Sequence, residues 1–239
     1  MGKDKIRRFE ENLTFPCMVQ PAFEEVFRKD HKLKGRWNED FFHNSNPIVL
    51  ELGCGRGEYA VELARRFPDK NFIGVDIKGA RMWRGAKSAT EEGLKNIAFL
   101  RTRIEFIDSF FGPGEVGEIW ITFPDPQLRK NRVKKRLTSP GFLALYSKFL
   151  TPGGEIHLKT DSLHLHLYTM AVTEANSLPV KASCRDIYGS GFADDLLSIK
   201  TTYEARFLGE GLPITYMRFG LDGLRDFAAP DFGPDDELA

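Results

Sequence analysis

Long apolar runs are missing from this chain. No stretch approaches the roughly 20 apolar residues that a helix needs to cross a bilayer, and the amino-terminal MGKDKIRRFEENLTF is basic without the apolar segment of a secretory leader. Cysteine is scarce: Cys17, Cys54 and Cys184 form an odd, widely spaced set that suggests neither a disulfide framework nor a zinc site. The expectation is a cytoplasmic protein with no membrane association and no metal. Histidines number five, and none has a ligand-spaced partner. His164 and His166 are two apart on a predicted helix, so they point in different directions. His157 falls in a predicted strand and reads as a hydrogen-bonded core residue, while His31 and His43 stand alone. Net charge is absent as well, with 34 Lys and Arg against 34 Asp and Glu. That balance hides segregation. Six cations and no acid lie between Arg129 and Arg136, whereas residues 221–239 carry six acids against Arg225 alone. An acidic end of this kind is usually just solvated, so the compact basic run is the more informative of the two.

What is present is ordinary for a globular protein: 41% hydrophobic and 28% charged over 239 residues, enough for one substantial core or two small ones. Apolar runs bounded by Gly and Pro predict seven strands, in IVLEL (48–52), NFIGVDIK, NIAFLRT, GEIWITFPDP, GGEIHLKTD, VKASCRDIY and PITYMRFGL. Helical spacing fills the gaps, in GEYAVELARRF, ARMWRGAKSATEEGL, PGFLALYSKFL and LHLHLYTMAVTEAN. Alternation of this kind predicts an α/β fold, a mostly parallel seven-stranded sheet with helices on both faces. Residues 1–45 read as an amino-terminal extension with some helical spacing, 46–220 as the domain and 221–239 as an acidic tail. Trp83 and Trp120 read as core residues.

In open sheets of this type ligands bind beyond the carboxyl ends of the strands. The first strand ends in ELGCGRGEYA, where Gly53, Gly55 and Gly57 permit a tight turn and close backbone approach. Glycines after a strand serve a structural turn nearly as well, but two features sharpen the reading. The spacing is G-x-G-x-G and not the G-x-G-x-x-G of pyrophosphate-binding turns, and Glu51 just ahead of it disfavours a diphosphate while suiting a cationic ligand. Asp76, ending the second strand, is placed to accept ribose hydroxyls. A cationic nucleoside without phosphates fits S-adenosylmethionine better than NAD. Cys54, inside the loop, reads as a small buried residue.

The fourth strand runs into ITFPDPQLRKNRVKKRL. In this sheet type the fourth strand lies beside the first, which turns Asp125 toward the same crevice. Pro124 and Pro126 restrict the loop and remove two amide donors. A rigid carboxylate beside a sulfonium donor suits an acceptor that becomes cationic on alkylation, such as guanine N7. That nitrogen already holds its lone pair, so the task is alignment and charge stabilisation. Asp125 can instead be a turn residue accepting local amides.

FPDP followed by the basic run and KRL, with ELGCGRGE upstream and LKTD and TTYE downstream, resembles the bacterial tRNA (guanine-N7)-methyltransferases over roughly Pro47 to Phe219. The resemblance implies a Rossmann-like class I methyltransferase fold. It also implies methyl transfer from S-adenosylmethionine, leaving S-adenosylhomocysteine, to N7 of a variable-loop guanosine (position 46) in tRNA, without a metal. It further implies that Glu51, Gly53, Gly55 and Asp76 bind the cofactor, and that Arg103 and Ile104 fall near the adenine, Ile104 through its amide. Asp125 matches the catalytic-site aspartate. Arg129, Asp161, Thr201, Thr202, Tyr203 and Glu204 match substrate-side positions. Lys130, Arg132, Lys134, Lys135 and Arg136 would hold RNA phosphates, and Lys3, Lys5, Arg7, Arg8 and the cations between Arg28 and Arg36 either extend that track or are ordinary surface charges.

The chain departs from the family's wording in two places. Gln127, Leu128 and Val133 replace an aromatic and histidines after FPDP, and Arg103 replaces an acid or amide. Three readings are separable in principle. A small-molecule or other-RNA methyltransferase shares the cofactor half, the former without need of the basic run. A non-catalytic RNA-binding protein has no use for Glu51, the glycines and Asp76 together. Oligomeric state, monomer or homodimer, is not fixed by these patterns.

Overall fold

A computed structural model describes residues 2–221, 223 and 226–233, the side chains of Gly2 and Lys3 excepted. Part of the expected acidic tail, including Asp222, Arg225, Asp235, Asp236 and Glu237, therefore lies outside the described residues. The chain divides into two compact units, Met1–Val116 and Gly117–Ala239. Among the described residues they contain eight strands, one more than the seven read from the sequence.

In the first unit β1 (Met18–Val19), β2 (Ile48–Leu52), β3 (Asn71–Asp76) and β4 (Ile97–Arg101) lie in the order β1-β4-β3-β2, with every pairing parallel. All five residues of β2 are buried, as an apolar run without alternation requires of a strand covered on both faces. Helix α3 (Glu58–Arg66) turns Tyr59, Ala60, Val61, Leu63 and Ala64 inward. Helix α4 (Gly79–Glu91) buries Met82, Gly85, Ala86 and Ala89.

The strand that the sequence reading missed is β1. It is two residues long, too short for any periodicity to register, and exists because Met18 and Val19 find register with Phe99 and Leu100 of β4. The residues before 46 also contain α1 (Gly2–Asn12), α2 (Phe23–Val26) and a wide helical turn over Trp37–Phe42. They are packed onto the rest of this unit. Asn12 donates to the Gly79 carbonyl at 2.9 Å, Trp83 Nε1 donates to Glu11 at 2.8 Å, and Trp37 is fully buried with Nε1 on the Phe110 carbonyl at 2.9 Å. Trp83 is accordingly half-buried under α1, with Arg8 over its ring at 4.8 Å, and is not a core residue. Trp120 is buried.

The second unit takes the remaining strands in the order β5-β6-β8-β7. They are β5 (Val116–Thr122, which starts at the boundary), β6 (Leu150–Thr160), β7 (Val180–Cys184) and β8 (Thr215–Gly220). Strand β8 is antiparallel to both β6 and β7, with an irregularity between Val180 and Ala182. The helices are α5 (Pro140–Tyr146), α6 (Leu163–Ala175) and α7 (Thr202–Gly209), and a tight helical segment spans Lys130–Lys135. Helix α7 was not read from the sequence as a helix, although Thr201 and Glu204 carry the T-x-x-E spacing of a helix start. Thr201 indeed accepts the Glu204 amide at 3.2 Å.

Candidate functional sites

The residues singled out by sequence fall into two sets, one in each unit. In the first, Gly53, Gly55 and Gly57 all adopt positive φ (76°, 55° and 71°), the left-handed conformation that only glycine enters at little cost. A Cβ on Gly53 would meet nothing within 4 Å, whereas one on Gly57 would overlap the Phe99 ring. Gly53 thus stands beside open space, and Gly57 is pressed onto the body of the unit. Gly85 of α4 completes the packing. A Cβ there would come within 2.7 Å of the Arg56 carbonyl and of Phe99 Cζ, so the glycine loop rests directly on helix backbone.

Asp76 fixes the loop from the other side. Its Oδ2 accepts the Gly55 amide at 2.9 Å and its Oδ1 the Lys78 amide at 2.8 Å. A carboxylate has about four acceptor sites, so an oriented Asp76 retains acceptors for hydroxyls. Glu51 is 3% exposed and accepts the Ala60 amide at 3.0 Å, an anion held at the positive end of α3. Burial pushes the Cys54 thiol well above its usual range, and the nearby Glu51 and Asp76 carboxylates push it further, so the group is an inert filler and not a nucleophile.

Arg103 is exposed, 3.5 Å from Glu105, with its guanidinium 5.9 Å from the Phe106 ring centre. Ile104 opens the tight helix over Ile104–Ser109, so its amide lies outside that helix's own hydrogen-bond ladder. Of the amino-terminal cations, Arg36 forks onto Asp40 at 2.6 and 2.9 Å, Lys34 holds Asp30 at 2.7 Å, and Arg7 lies 3.7 Å from Asp4.

In the second unit the loop after β5 is strained on both sides of Asp125. Phe123 and Gln127 have φ of 48° and 49°, a conformation costing a non-glycine residue about 1–2 kcal/mol. The surroundings hold both. Phe123 donates its amide to the Lys159 carbonyl at 2.8 Å and lays its ring 5.8 Å from Phe207. Gln127 donates its amide to Asp125 Oδ1 at 3.0 Å, and its carbonyl accepts from Arg136 Nη2 at 3.3 Å. Asp125 is exposed and has that single hydrogen bond among the described residues. Strain over-determined in this way is typical of functional loops.

Arg136, grouped by sequence with the RNA-contacting cations, is buried at 2% exposure. Its Nε donates to the Pro126 carbonyl at 3.2 Å, Nη2 lies 2.6 Å from His164, and the guanidinium stands 4.3 Å over Tyr168. It is a clamp joining the P-D-P-Q loop to α6, because a planar fork of donors satisfies several fixed acceptors at once. Nothing in a run of charges distinguishes such a residue from its neighbours. Arg129, Lys130, Arg132, Lys134 and Lys135 are all exposed.

Sequence reading also missed a buried network. Lys159 and Glu204 are both 0% exposed and lie 2.7 Å apart. Lys159 Nζ donates further to the Leu197 and Ile199 carbonyls at 2.6 and 3.1 Å, and Tyr188 donates its hydroxyl to Glu204 Oε1 at 2.7 Å. Burial pulls the Lys159 pKa down, with Glu204 opposing it. Burial, then Glu204, pushes the Tyr188 hydroxyl up. Glu204 is therefore an internal anchor for the segment leading into α7. On that helix Thr201 is the buried cap, while Thr202 and Tyr203 are exposed. Asp161 follows β6 directly, half-buried, its carboxyl raised chiefly by burial. His164 and His166 diverge as their spacing predicts, His164 to Arg136 and His166 to Ser183 at 3.2 Å. His157 is buried, with Nδ1 on the Tyr216 hydroxyl at 2.9 Å.

Comparison with known proteins agrees with these features. Residues 45–217 match a family model described as a putative methyltransferase. The tRNA (guanine-N(7)-)-methyltransferase of Porphyromonas gingivalis is 57% identical over 211 residues, 87% of this chain and 86% of that protein. The protein of the same name from Bacteroides fragilis is 52% identical over 231 residues, 97% of this chain and 91% of its own. Among solved structures, the 16S rRNA methyltransferase KamB superposes with a TM-score of 0.59 at 16% identity, covering 82% of this chain and 97% of that one. This likeness shows the shared Rossmann-like class I fold. By the length and identity of these matches, the chain belongs to the family of bacterial tRNA (guanine-N7)-methyltransferases.

Proposed function

We propose that the protein transfers the methyl group of S-adenosylmethionine to N7 of a variable-loop guanosine in tRNA. The observation that carries this reading is the pair of prearranged carboxylates, Asp76 pinned by two amides and Asp125 set between two left-handed residues, in a chain of this family. S-adenosylmethionine, when bound, supplies an electrophilic methyl on a sulfonium. The left-handed glycines and the open space at Gly53 suit close approach of such a ligand, Asp76 accepts its ribose hydroxyls, and buried Glu51 holds the loop-to-helix turn rigid while favouring positive charge. The amide of Ile104 serves the adenine, with Arg103 directed to Glu105 instead.

Asp125 acts by position and charge. Guanine N7 needs no base, because its lone pair attacks directly. A carboxylate that accepts from guanine N1–H and the exocyclic amine orients the ring and stabilises the positive charge developing on it. Asp161, Thr201, Thr202 and Tyr203 complete the substrate side, with Glu204 anchoring them from within. Arg129, Lys130, Arg132, Lys134 and Lys135 neutralise tRNA phosphates, while Arg136 keeps the Asp125 loop in shape.

Incubation with methyl-labelled S-adenosylmethionine and unmodified tRNA, followed by nucleoside analysis, tests the proposal. Label recovered as 7-methylguanosine is the expected result, and tight tRNA binding with no incorporation would sink it. Asp125→Ala is expected to abolish turnover while leaving cofactor affinity nearly intact. Equal loss of cofactor affinity would show that its role has been misassigned.

A further inference from the structure

The second unit contains a groove of about 750 Å³ that none of the roles above explains, a volume within the range of small-ligand sites. Lys130 and Lys134 line it on one side, with Leu128 beside them. His164, Tyr168 and Phe232 line the other. Among the described residues, no Asp or Glu lines the groove and neither lysine has an acidic partner. Leu128 is 61% exposed, a large apolar side chain left in water within a loop of charges. Phe232 is half-buried, its ring 5.2 Å from His164 and 5.5 Å from Tyr168 in edge-on contacts that fix its orientation.

Apolar and aromatic walls beside unpaired cations match the chemistry of one nucleotide: a planar base for the walls and a phosphate for the lysines. The groove is also continuous with the exposed run from Arg129 to Lys135, because Lys130 and Lys134 belong to both, so a strand held along that run by its backbone can reach the groove. We infer that the groove is an RNA subsite for one unpaired nucleotide of the tRNA other than the methylated guanosine, with its base against Leu128 and Phe232 and its phosphate between Lys130 and Lys134. The inference rests on the reading of the protein as a tRNA methyltransferase. Such a contact reads the shape of the tRNA near the target and does not take part in the chemistry.

Photocrosslinking of the full chain to an unmodified tRNA transcript carrying 4-thiouridine, with peptide mapping, locates the contact. Crosslinks at Leu128 or Phe232 are expected. Phe232→Ala is expected to raise the KM for tRNA by roughly five- to a hundredfold, the range of one lost base stack, more than it lowers kcat and without change in the KM for S-adenosylmethionine. Leu128→Ser, at an exposed position where folding is not at stake, is expected to act in the same direction. Variants that methylate tRNA with the parent's KM, together with crosslinks confined to other peptides, would overturn the groove's role while leaving the proposed activity standing. Groove crosslinks that appear only after removal of residues 234–239 would assign the groove to the chain's own acidic end and equally overturn it. Failure of the parent protein to form 7-methylguanosine would remove the premise itself.

Discussion

Lys159→Met removes one charged group from the interior and keeps nearly the same volume. Lys159 Nζ has three protons, and each is used, by the Leu197 carbonyl, the Ile199 carbonyl and the Glu204 carboxylate. Both members of the ion pair are 0% exposed. Removing the ammonium leaves the Glu204 carboxylate buried, with the Tyr188 hydroxyl still donating to it. Breaking a buried pair on one side in this way costs about 3–5 kcal/mol. The two orphaned carbonyls belong to the same event and are not added separately. At roughly 2–4 °C per kcal/mol for a chain of this size, the melting temperature should fall by about 6–20 °C. Urea unfolding gives the free energy directly. The decisive comparison is the double variant Lys159→Met with Glu204→Gln, in which a neutral amide still accepts from Tyr188 and no charge is stranded. It should be more stable than Lys159→Met alone, with a coupling of about 1–3 kcal/mol. A single variant costing under about 1 kcal/mol, or a double variant at the sum of the singles, would refute the anchoring role.

His166 is fully buried, and burial, then Arg185, lowers its pKa to about 4 from 6.5. Between those values the unfolded chain binds the extra proton. The stabilising contribution is therefore complete above pH 6.5 and lost as pH falls toward 4, by about 3 kcal/mol. His166→Gln should flatten that acid limb, and parallel stability curves would show that the loss originates elsewhere. Gly85→Ala adds a methyl against the Arg56 carbonyl and Phe99. It should destabilise by about 1–3 kcal/mol despite alanine's helix preference of about 1 kcal/mol, and weaken S-adenosylmethionine binding measured by calorimetry. A more stable protein with unchanged affinity would count against direct loop-on-helix packing. tRNA affinity should fall with a log–log salt slope near −4 for the five exposed cations of residues 129–135, at about 0.7–0.9 per phosphate, and Arg132→Ala should reduce it by about 1. A flat salt titration would remove the phosphate-binding role.

Much of the architecture was legible because it is written in local pattern. The run IVLEL before G-x-G-x-G, the acid at Asp76 and the alternation of elements require no knowledge of distant residues, since burial on both faces and left-handed turns select their own residue types. Composition and motif likewise marked Asp125 and the basic run. Tertiary structure alone decided what those charges do. Arg136 and Lys135 are neighbours of the same sign, yet one is sealed under the Asp125 loop and the other faces water. Glu204 and Tyr203 share one motif, yet one is a buried anchor and the other is exposed. Whether a charged side chain binds a partner or stabilises the chain depends on desolvation and on the acceptors it meets, and those acceptors come from residues dozens of positions away, as Leu197 and Ile199 do for Lys159. The sequence by itself determined which groups were available and on which elements. Only folding determined which of them were taken out of solvent, because burial is a property of the packed chain and not of any residue in it.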